Sequence, residues 1–164
     1  MTAPSTPELQ ELSQRYQALI AAQQTLLLST ASADAVPDLS YAPFVRDSEG
    51  VFYIYVSDMA QHTGNLLHNP RASVLFIRPE SDSANLFARE RAQINCSVHE
   101  ISRVAAIYHT QLQALQDKFG EVVGILRSLP DFHLFALRPE QGRYVLGFGK
   151  AFNIHMLDGS LQPI

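Results

Sequence analysis

Hydrophobic side chains recur along this chain with two different periods. Near the N-terminus they are spaced mostly three or four positions apart, as on one face of a helix, at Leu9, Leu12, Tyr16, Leu19 and Ile20. The Ser5-Thr6-Pro7-Glu8 stretch before them has the form of a capping box with proline in the first turn. The pattern predicts a first helix over about residues 5–24.

The next part of the chain consists of short apolar runs with turn residues between them. The runs TLLLSTA, LSYAPFVRD and GVFYIYVS are separated by DAVPD and DSEG, which predicts an antiparallel meander of three strands. A short helix within SDMAQHTGNLLHNP then leads to a fourth strand, RASVLFIRP, and a longer fifth, FARERAQINCSVHEI. GVFYIYVS is apolar on both faces, so one of these faces is expected to need cover from a partner.

Helical spacing returns in the last third of the chain and predicts a helical insertion over about residues 102–128, interrupted at Gly120. Three more strands follow Pro130: DFHLFALRP, GRYVLGFG and AFNIHML. Antiparallel strands in this number, with a few helices, predict a mainly β fold, a Greek-key-like β-barrel with helices, formed by residues 1–164 as a single domain. We expect disorder only at the two ends, in residues 1–6 and 159–164.

Composition and charge narrow the possible partners. A net charge of -4 and a pI near 5.8 argue against a nucleic-acid partner, which would need a cationic surface. The basic residues include only two lysines, Lys118 and Lys150, so planar recognition of carboxylate or phosphate by arginine is favoured. The single Cys96 fits a reducing compartment, and no apolar run approaches the ~20 residues of a membrane span. We therefore expect a cytoplasmic protein with no membrane association.

The short helix after the third predicted strand is the first candidate site. It is expected to begin near Ser57, with His62 and Asn65 one turn apart on one face. Free backbone N–H groups and the helix dipole make such an N-terminus a seat for an anion, so these three residues are candidates for cofactor binding. The alternative is an ordinary capped helix with a solvated His62.

The fifth predicted strand carries the second candidate. Alternation along the strand places Arg89 and Arg91 on one face, about 7 Å apart, with Glu90 pointing the other way. That spacing would allow the two arginines to bind one dianion or two carboxylates. The alternative interpretation is an exposed sheet face on which these residues form only weak ion pairs.

The stretch GFGKAFNIH is the third candidate. Gly147 and Gly149 indicate either a bulge at a barrel corner or the close approach of a flat ligand, with Lys150 at the rim to meet an anion.

Asp131 is the fourth candidate. It precedes an apolar run, so its carboxylate is expected to bind a neighbour or to hold an imidazole in one tautomer. His155 is one of the nearest imidazoles in sequence on these last strands, although a lone strand histidine is more often a core residue.

No dinucleotide, phosphate-loop, nucleophile-elbow or zinc-protease motif is present, so any chemistry is expected to belong to a bound cofactor. Taken with the order of elements, the sequence resembles the pyridoxamine 5′-phosphate oxidase-like superfamily of FMN-binding split barrels, and within it the HugZ/HutZ-type haem-utilisation branch. The stretches that carry this resemblance are LSYAPFV, SDMAQHTGNLLHNPRASVLF, LFARERAQI, FGEVVGILRSLPDFHLFAL and PEQGRYVLGFGKAF. The resemblance implies a homodimer with two cofactor sites at the subunit interface.

The resemblance also implies roles for particular residues. Flavin-using members hold the phosphate with Arg and Lys from the second strand and the helix after the third. Here the strand has no basic residue until Arg46, and His62 stands where a lysine or arginine is usual, so the flavin site is weakened. In the haem branch an acid matching Asp131 hydrogen-bonds an axial histidine near the C-terminus. This chain has no histidine after His155, so the usual ligand has no match here, while the acid is retained. His155, the last imidazole in the sequence, is the candidate metal ligand, and Asp131 is the candidate catalytic acid.

These features lead to one functional expectation and two alternatives. We expect a haem-binding protein of haem-iron utilisation, with haem degradation of the haem oxygenase type as a further activity and Arg89, Arg91 or Lys150 at the haem carboxylates. The alternatives are an FMN-dependent oxidoreductase and a non-catalytic cofactor-binding dimer.

Overall fold

The computed structural model describes residues 5–164. Within that range the chain forms four α-helices: α1 Thr6–Ala21, α2 Gln61–His68, α3 Ala106–Phe119 and α4 Glu121–Arg127. It also forms nine β-strands: β1 Thr25–Ala31, β2 Pro37–Pro43, β3 Val45–Arg46, β4 Phe52–Ser57, β5 Arg71–Ile77, β6 Arg91–Glu100, β7 Phe132–Gly147, β8 Lys150–Ile154 and β9 Leu161–Pro163. Two short 3₁₀ turns, Glu80–Asp82 and Leu86–Ala88, lie between β5 and β6.

All strands pair antiparallel in one sheet, in the order β2-β1-β5-β6-β7-β4-β3, with β8 and β9 added beside β7. Two pairs of neighbours, β1 with β5 and β4 with β7, are not consecutive in sequence, because α2 returns the chain across the sheet from β4 to β5 beside β1. The prediction of a mainly β, antiparallel protein with helices at its edges is confirmed.

Two apolar clusters lie on opposite faces of this sheet. The larger one fills the inner face and includes Phe52, Phe76 and Tyr144. The smaller one joins α3 and α4 to the outer face of β4 and β7, with Tyr53 and Leu134 among its members. Strand β4 is therefore covered on both faces within one chain, so the prediction that it needs a partner surface is wrong.

Several predicted boundaries change in the structure. The two strands predicted on either side of Pro139 are one continuous strand, β7, with a register shift opposite Asn95 and Cys96. The helical insertion divides at Gly120, whose φ of +83° lets the chain turn between α3 and α4.

The prediction of disorder at the two ends is wrong for those end residues that the structure describes. β9 pairs with β8, and Ser5 and Thr6 belong to the capping box and first turn of α1, while residues 1–4 lie outside the described residues. None of the helices in the described range is long and apolar enough to cross a membrane.

Candidate functional site

Helix α2 begins at Gln61, four residues later than predicted, and the backbone N–H groups near Ser57 are already bonded. The N–H of Asp58 donates to the carbonyl of Asp131 at 2.8 Å, and the N–H of Met59 donates to Ser57 Oγ at 3.1 Å. The N–H groups of Asp58 and Met59 are therefore not free to bind an anion at the predicted start of the helix. Any role of Ser57 in cofactor binding would come from its side chain, which donates to Asp131.

His62 and Asn65 share the buried face of α2, against the β1–β2 hairpin. Asn65 Nδ2 donates to Thr30 Oγ1 at 3.0 Å, and His62 Nδ1 lies 2.9 Å from Ser40 Oγ. The second ring nitrogen of His62, Nε2, is buried and has no hydrogen-bond partner among the described residues. These contacts fasten the helix to the sheet.

The surroundings of His62 do not fit the phosphate of FMN. Burial lowers the pKa of His62, so the imidazole is neutral at physiological pH, and the charged group that acts on it is the carboxylate of Asp38. Arg46 is turned to Gln17 Oε1 at 2.6 Å and to the carbonyl of Gly50 at 3.3 Å. A dianionic phosphate would meet an uncharged ring beside an acid.

Asp131 lies directly before β7 and accepts a hydrogen bond from Ser57 Oγ at 3.0 Å. Its predicted binding of a neighbour is thus confirmed. The imidazole nearest in sequence, that of His133, is bound elsewhere: its ring nitrogens lie 2.5 Å from Asp58 Oδ1 and 2.6 Å from Glu100 Oε1. Partial burial lowers the pKa of His133, but the hydrogen bonds to these two carboxylates outweigh it and hold the pKa above its ordinary value.

His155 lies in the loop between β8 and β9. Its Nδ1 is 3.0 Å from Asp158 Oδ1, which also accepts from the N–H of Ser160 at 2.9 Å. These bonds, led by those from Ser160, lower the pKa of Asp158 to about 2. The loop is fixed to α1, because the carbonyl of Gly159 accepts from Ser13 Oγ at 2.5 Å.

The imidazole of His155 stands at the edge of a cavity of about 860 Å³ on the outer face of β6, β7 and β8. The side chain is 61% exposed, and Nε2 makes no hydrogen bond to the part of the chain that the structure describes. Asp131 and His155 are not brought together within one chain. They are separated by about ten residues along β7, which is roughly 30 Å of extended strand.

The predicted pairing of Arg89 with Arg91 on one strand face is wrong. Strand β6 begins at Arg91, and Arg89 precedes it in irregular backbone. The guanidinium of Arg89 donates twice to the carbonyl of Arg78, at 3.1 and 2.6 Å, and lies 3.4 Å from Glu80 Oε1. Arg89 is therefore occupied within the chain.

Glu90 is the residue that sequence reasoning missed. It is 3% exposed and accepts from Arg15 Nε at 2.8 Å, from Arg78 Nε at 2.8 Å and from the hydroxyl of Tyr144. Burial alone would raise the pKa of Glu90, but the hydrogen bonds from these three groups outweigh it and hold the pKa at about 2. The sequence gives no local sign that Glu90 is buried, because an Arg-Glu-Arg stretch looks the same whether it is exposed to solvent or paired in the core.

The glycines around Phe148 form a hairpin. Gly147 pairs with Lys150 across a two-residue turn in which Gly149 has a φ of +66°, and the register shifts between Val145 and Gly147. The interpretation as a bulge is confirmed, and the bend beside it is the hairpin turn between β7 and β8. Lys150 is exposed at the start of β8.

The structure is thus an antiparallel split barrel with helices, whose outer sheet face carries a cavity, arginines and a histidine. The chain belongs to the pyridoxamine 5′-phosphate oxidase family, whose profile matches residues 12–146. It is 36% identical, over 148 residues, to the haem oxygenase HutZ of Vibrio cholerae serotype O1, a match that covers 90% of this chain and 80% of that protein.

Two solved structures are similar as well. The crystal structure of HutZ, described as the haem storage protein of Vibrio cholerae, has a TM-score of 0.73 at 34% identity and covers 78% of this chain and 89% of that chain. ChuZ of Campylobacter jejuni has a TM-score of 0.82 at 26% identity and covers 94% of this chain and 63% of that chain. The split-barrel fold and the likeness to the HugZ/HutZ-type branch are confirmed.

Proposed function

We propose that this protein binds haem and serves haem-iron utilisation. The observation that carries the proposal is the 36% identity, over 90% of the chain, to a protein named haem oxygenase. The outer sheet face fits the group, because its cavity of about 860 Å³ is within the usual size range of cofactor pockets and has an imidazole at its edge.

The donor set also fits. Imidazoles that bind a metal usually donate their other ring N–H to a carboxylate, which fixes the tautomer and orients the ring. Asp158 is placed to accept from Nδ1 of His155, which would leave the lone pair on Nε2, and His155 lines the cavity. Bound haem would supply an iron centre for O₂ chemistry, while this chain would bind and orient it, with His155 as the residue proposed to hold the iron.

Haem degradation is a second activity to be tested, since the similar Vibrio protein carries the names haem oxygenase and haem storage protein. We propose Asp131 as the catalytic acid in that case. Incubation of the haem-loaded protein with ascorbate and O₂ separates the two activities. Loss of haem absorbance with release of iron indicates degradation. Unchanged haem absorbance without release of iron indicates storage.

The family name makes FMN the second candidate cofactor, and we expect it to bind weakly. A phosphate monoester carries about -1.5 to -2 charge at neutral pH, whereas the candidate phosphate position offers a neutral His62 beside Asp38. Absorption spectra of the protein as purified, and after addition of haemin or FMN, check this. A stoichiometric yellow flavin in the purified protein would contradict it and favour an FMN-dependent oxidoreductase.

We propose that the protein is a homodimer. The outward face of the β1–β2 hairpin is apolar and open, with Leu39 74% and Tyr41 64% exposed and Leu27 paired directly with Tyr41. Exposed apolar patches of this kind mark interaction surfaces. A dimer would also allow Asp131 of one subunit and His155 of another to serve one site, which a single chain does not.

Light scattering tests the dimer. The wild-type chain of 18.2 kDa is expected to run at twice that mass at micromolar concentration. Leu39→Glu is expected to shift it toward the monomer, because a charge would be buried against the partner. Val104→Glu, at a residue that is 92% exposed in the turn before α3, is the matched control and should leave the mass unchanged. A monomeric wild type would overturn the proposal.

A cytoplasmic location is also part of the proposal. Its support is Cys96, the single cysteine of the sequence, which is buried as a free thiol in β6, as suits a reducing compartment. Cell fractionation tests this, and recovery of the protein in a secreted or periplasmic fraction would refute it.

A further inference from the structure

Two arginines lie side by side on the outer face of the sheet. Arg91 on β6 is paired with Val145 on β7, and Gln93 is paired with Arg143, so Arg91 and Arg143 are diagonal neighbours on one face. Such neighbours have Cα atoms about 7 Å apart, within reach of long side chains. Both arginines line a cavity of about 340 Å³ between β6, β7 and the C-terminal residue.

Neither arginine is neutralised by the part of the chain that has been described. The side chain of Arg91 donates to the carbonyl of Arg89 at 3.0 Å, while the side chain of Arg143 makes no hydrogen bond or ion pair within residues 5–164. By contrast, Arg15 and Arg78 share Glu90. Adjacent like charges on a sheet face are destabilising, so an open pair of guanidinium groups indicates an anionic ligand.

The arginine cavity adjoins the cavity at His155. Gln93 and Arg143 line both, and Asn153, the partner of Arg143 on β8, lies two residues before His155 on the same face. Two residues of strand span about 7 Å. Arg91, Arg143 and His155 therefore follow one another along one trough.

The lining of this trough suits a flat, largely apolar molecule with acidic groups at one edge. Apolar side chains line it beside the polar ones, among them Val145, Ala151, Met156 and Leu157. Glu140 is an acid of the trough wall, and it lines the His155 cavity and not the arginine cavity. Among the lining side chains, Arg143 lies in both cavities and Arg91 only in the arginine cavity, so the positive side-chain charge is greater at the end away from His155.

We propose that Arg143, together with Arg91 and in place of Arg89, binds the carboxylates of a planar dicarboxylate whose centre faces His155. This inference rests on the proposed function and names the haem propionates as the recognised groups. Planar guanidinium groups engage carboxylates through two parallel N–H···O bonds, a geometry that lysine cannot reproduce.

The test is a titration of the full-length protein with two probes, haemin and iron-free protoporphyrin IX, which share the ring and both carboxylates. The variants are Arg143→Ala, Arg143→Lys and the control Arg138→Ala, an exposed arginine on the same strand outside both cavities. Arg143→Ala is expected to weaken binding of both probes about tenfold, or ~1.4 kcal/mol. Arg143→Lys should recover part of the loss, and Arg138→Ala should stay within twofold of wild type.

The outcomes distinguish a failure of the role of Arg143 from a failure of haem binding itself. If haemin binds to the wild type and Arg143→Ala stays within twofold, the role of Arg143 is wrong while haem binding stands. If haemin does not bind to the wild type, the proposed function is wrong, and the porphyrin then decides on Arg143: tenfold weaker binding by Arg143→Ala supports it, and equal or absent binding refutes it. Far-UV circular dichroism and the melting temperature confirm that the exposed Arg143 variants are folded.

Discussion

Replacing Glu90 by glutamine is expected to lower the free energy of unfolding by about 3 kcal/mol. The carboxylate is buried and receives hydrogen bonds from Arg15 on α1, from Arg78 after β5 and from Tyr144 on β7, so it joins three elements of the fold. Removing one partner of a buried charge network typically costs about 3–5 kcal/mol. Glutamine keeps the shape but loses the charge, which places the expected value at the lower end. Urea unfolding at pH 7 measures the effect.

Glu80→Gln is the matched control for this prediction. Glu80 is also paired with an arginine, Arg89, but at 3.4 Å and with its side chain 72% exposed. Exposed pairs contribute about 0–1 kcal/mol, so this variant should unfold close to the wild type. Equal stability of Glu90→Gln and Glu80→Gln would show that the network contributes little.

The effect of Glu90 is also expected to depend on pH. The pKa of Glu90 is about 2 in the folded chain and has an ordinary value of 4.5. Because the folded pKa is the lower one, the stabilisation is present above about pH 4.5 and is lost as the pH falls toward 2. The full difference corresponds to about 3 kcal/mol at ~1.4 kcal/mol per pKa unit. The stability of the wild type should therefore approach that of Glu90→Gln as the pH falls from about 4.5 toward 2.

Replacing His155 by alanine is expected to change the absorption spectrum of the haem-loaded protein and to weaken haemin binding at least tenfold. His155 is the imidazole at the edge of the large outer cavity, and its ring is held by Asp158. Loss of the carboxylate behind a metal-binding imidazole typically costs 10- to 100-fold in affinity, and loss of the imidazole itself should cost no less. Asp158→Asn is thus expected to weaken binding by about tenfold while keeping a spectrum typical of imidazole ligation.

His99→Ala is the control, since His99 is exposed on β6 and lines neither cavity. If His155→Ala leaves the spectrum unchanged while Arg143→Ala weakens binding, the axial ligand is another residue and the trough remains the binding site. If neither variant matters, the binding site lies elsewhere on the chain, and Asp131 is left with a structural role at the start of β7.

Local patterns in the sequence determined the elements and the fold class. The capping box at Ser5, the turn residues between the short apolar runs and the helical spacing after residue 102 act over a few residues, so they are readable without tertiary structure. The same local motifs carried the resemblance to the split-barrel superfamily. Boundaries were less certain because a strand continues wherever a neighbour pairs with it, as β7 does past Pro139.

Only the tertiary structure decided which charged residues meet. Glu90 lies 75 positions from Arg15. Arg89 does not share a strand face with Arg91, because the backbone is irregular before Arg91. Likewise, Arg91 and Arg143 become neighbours through the register of β6 with β7. The energy of a charge depends on burial and on partners within a few ångströms, and these are set by strand register and helix packing, which the order of residues along the chain does not reveal.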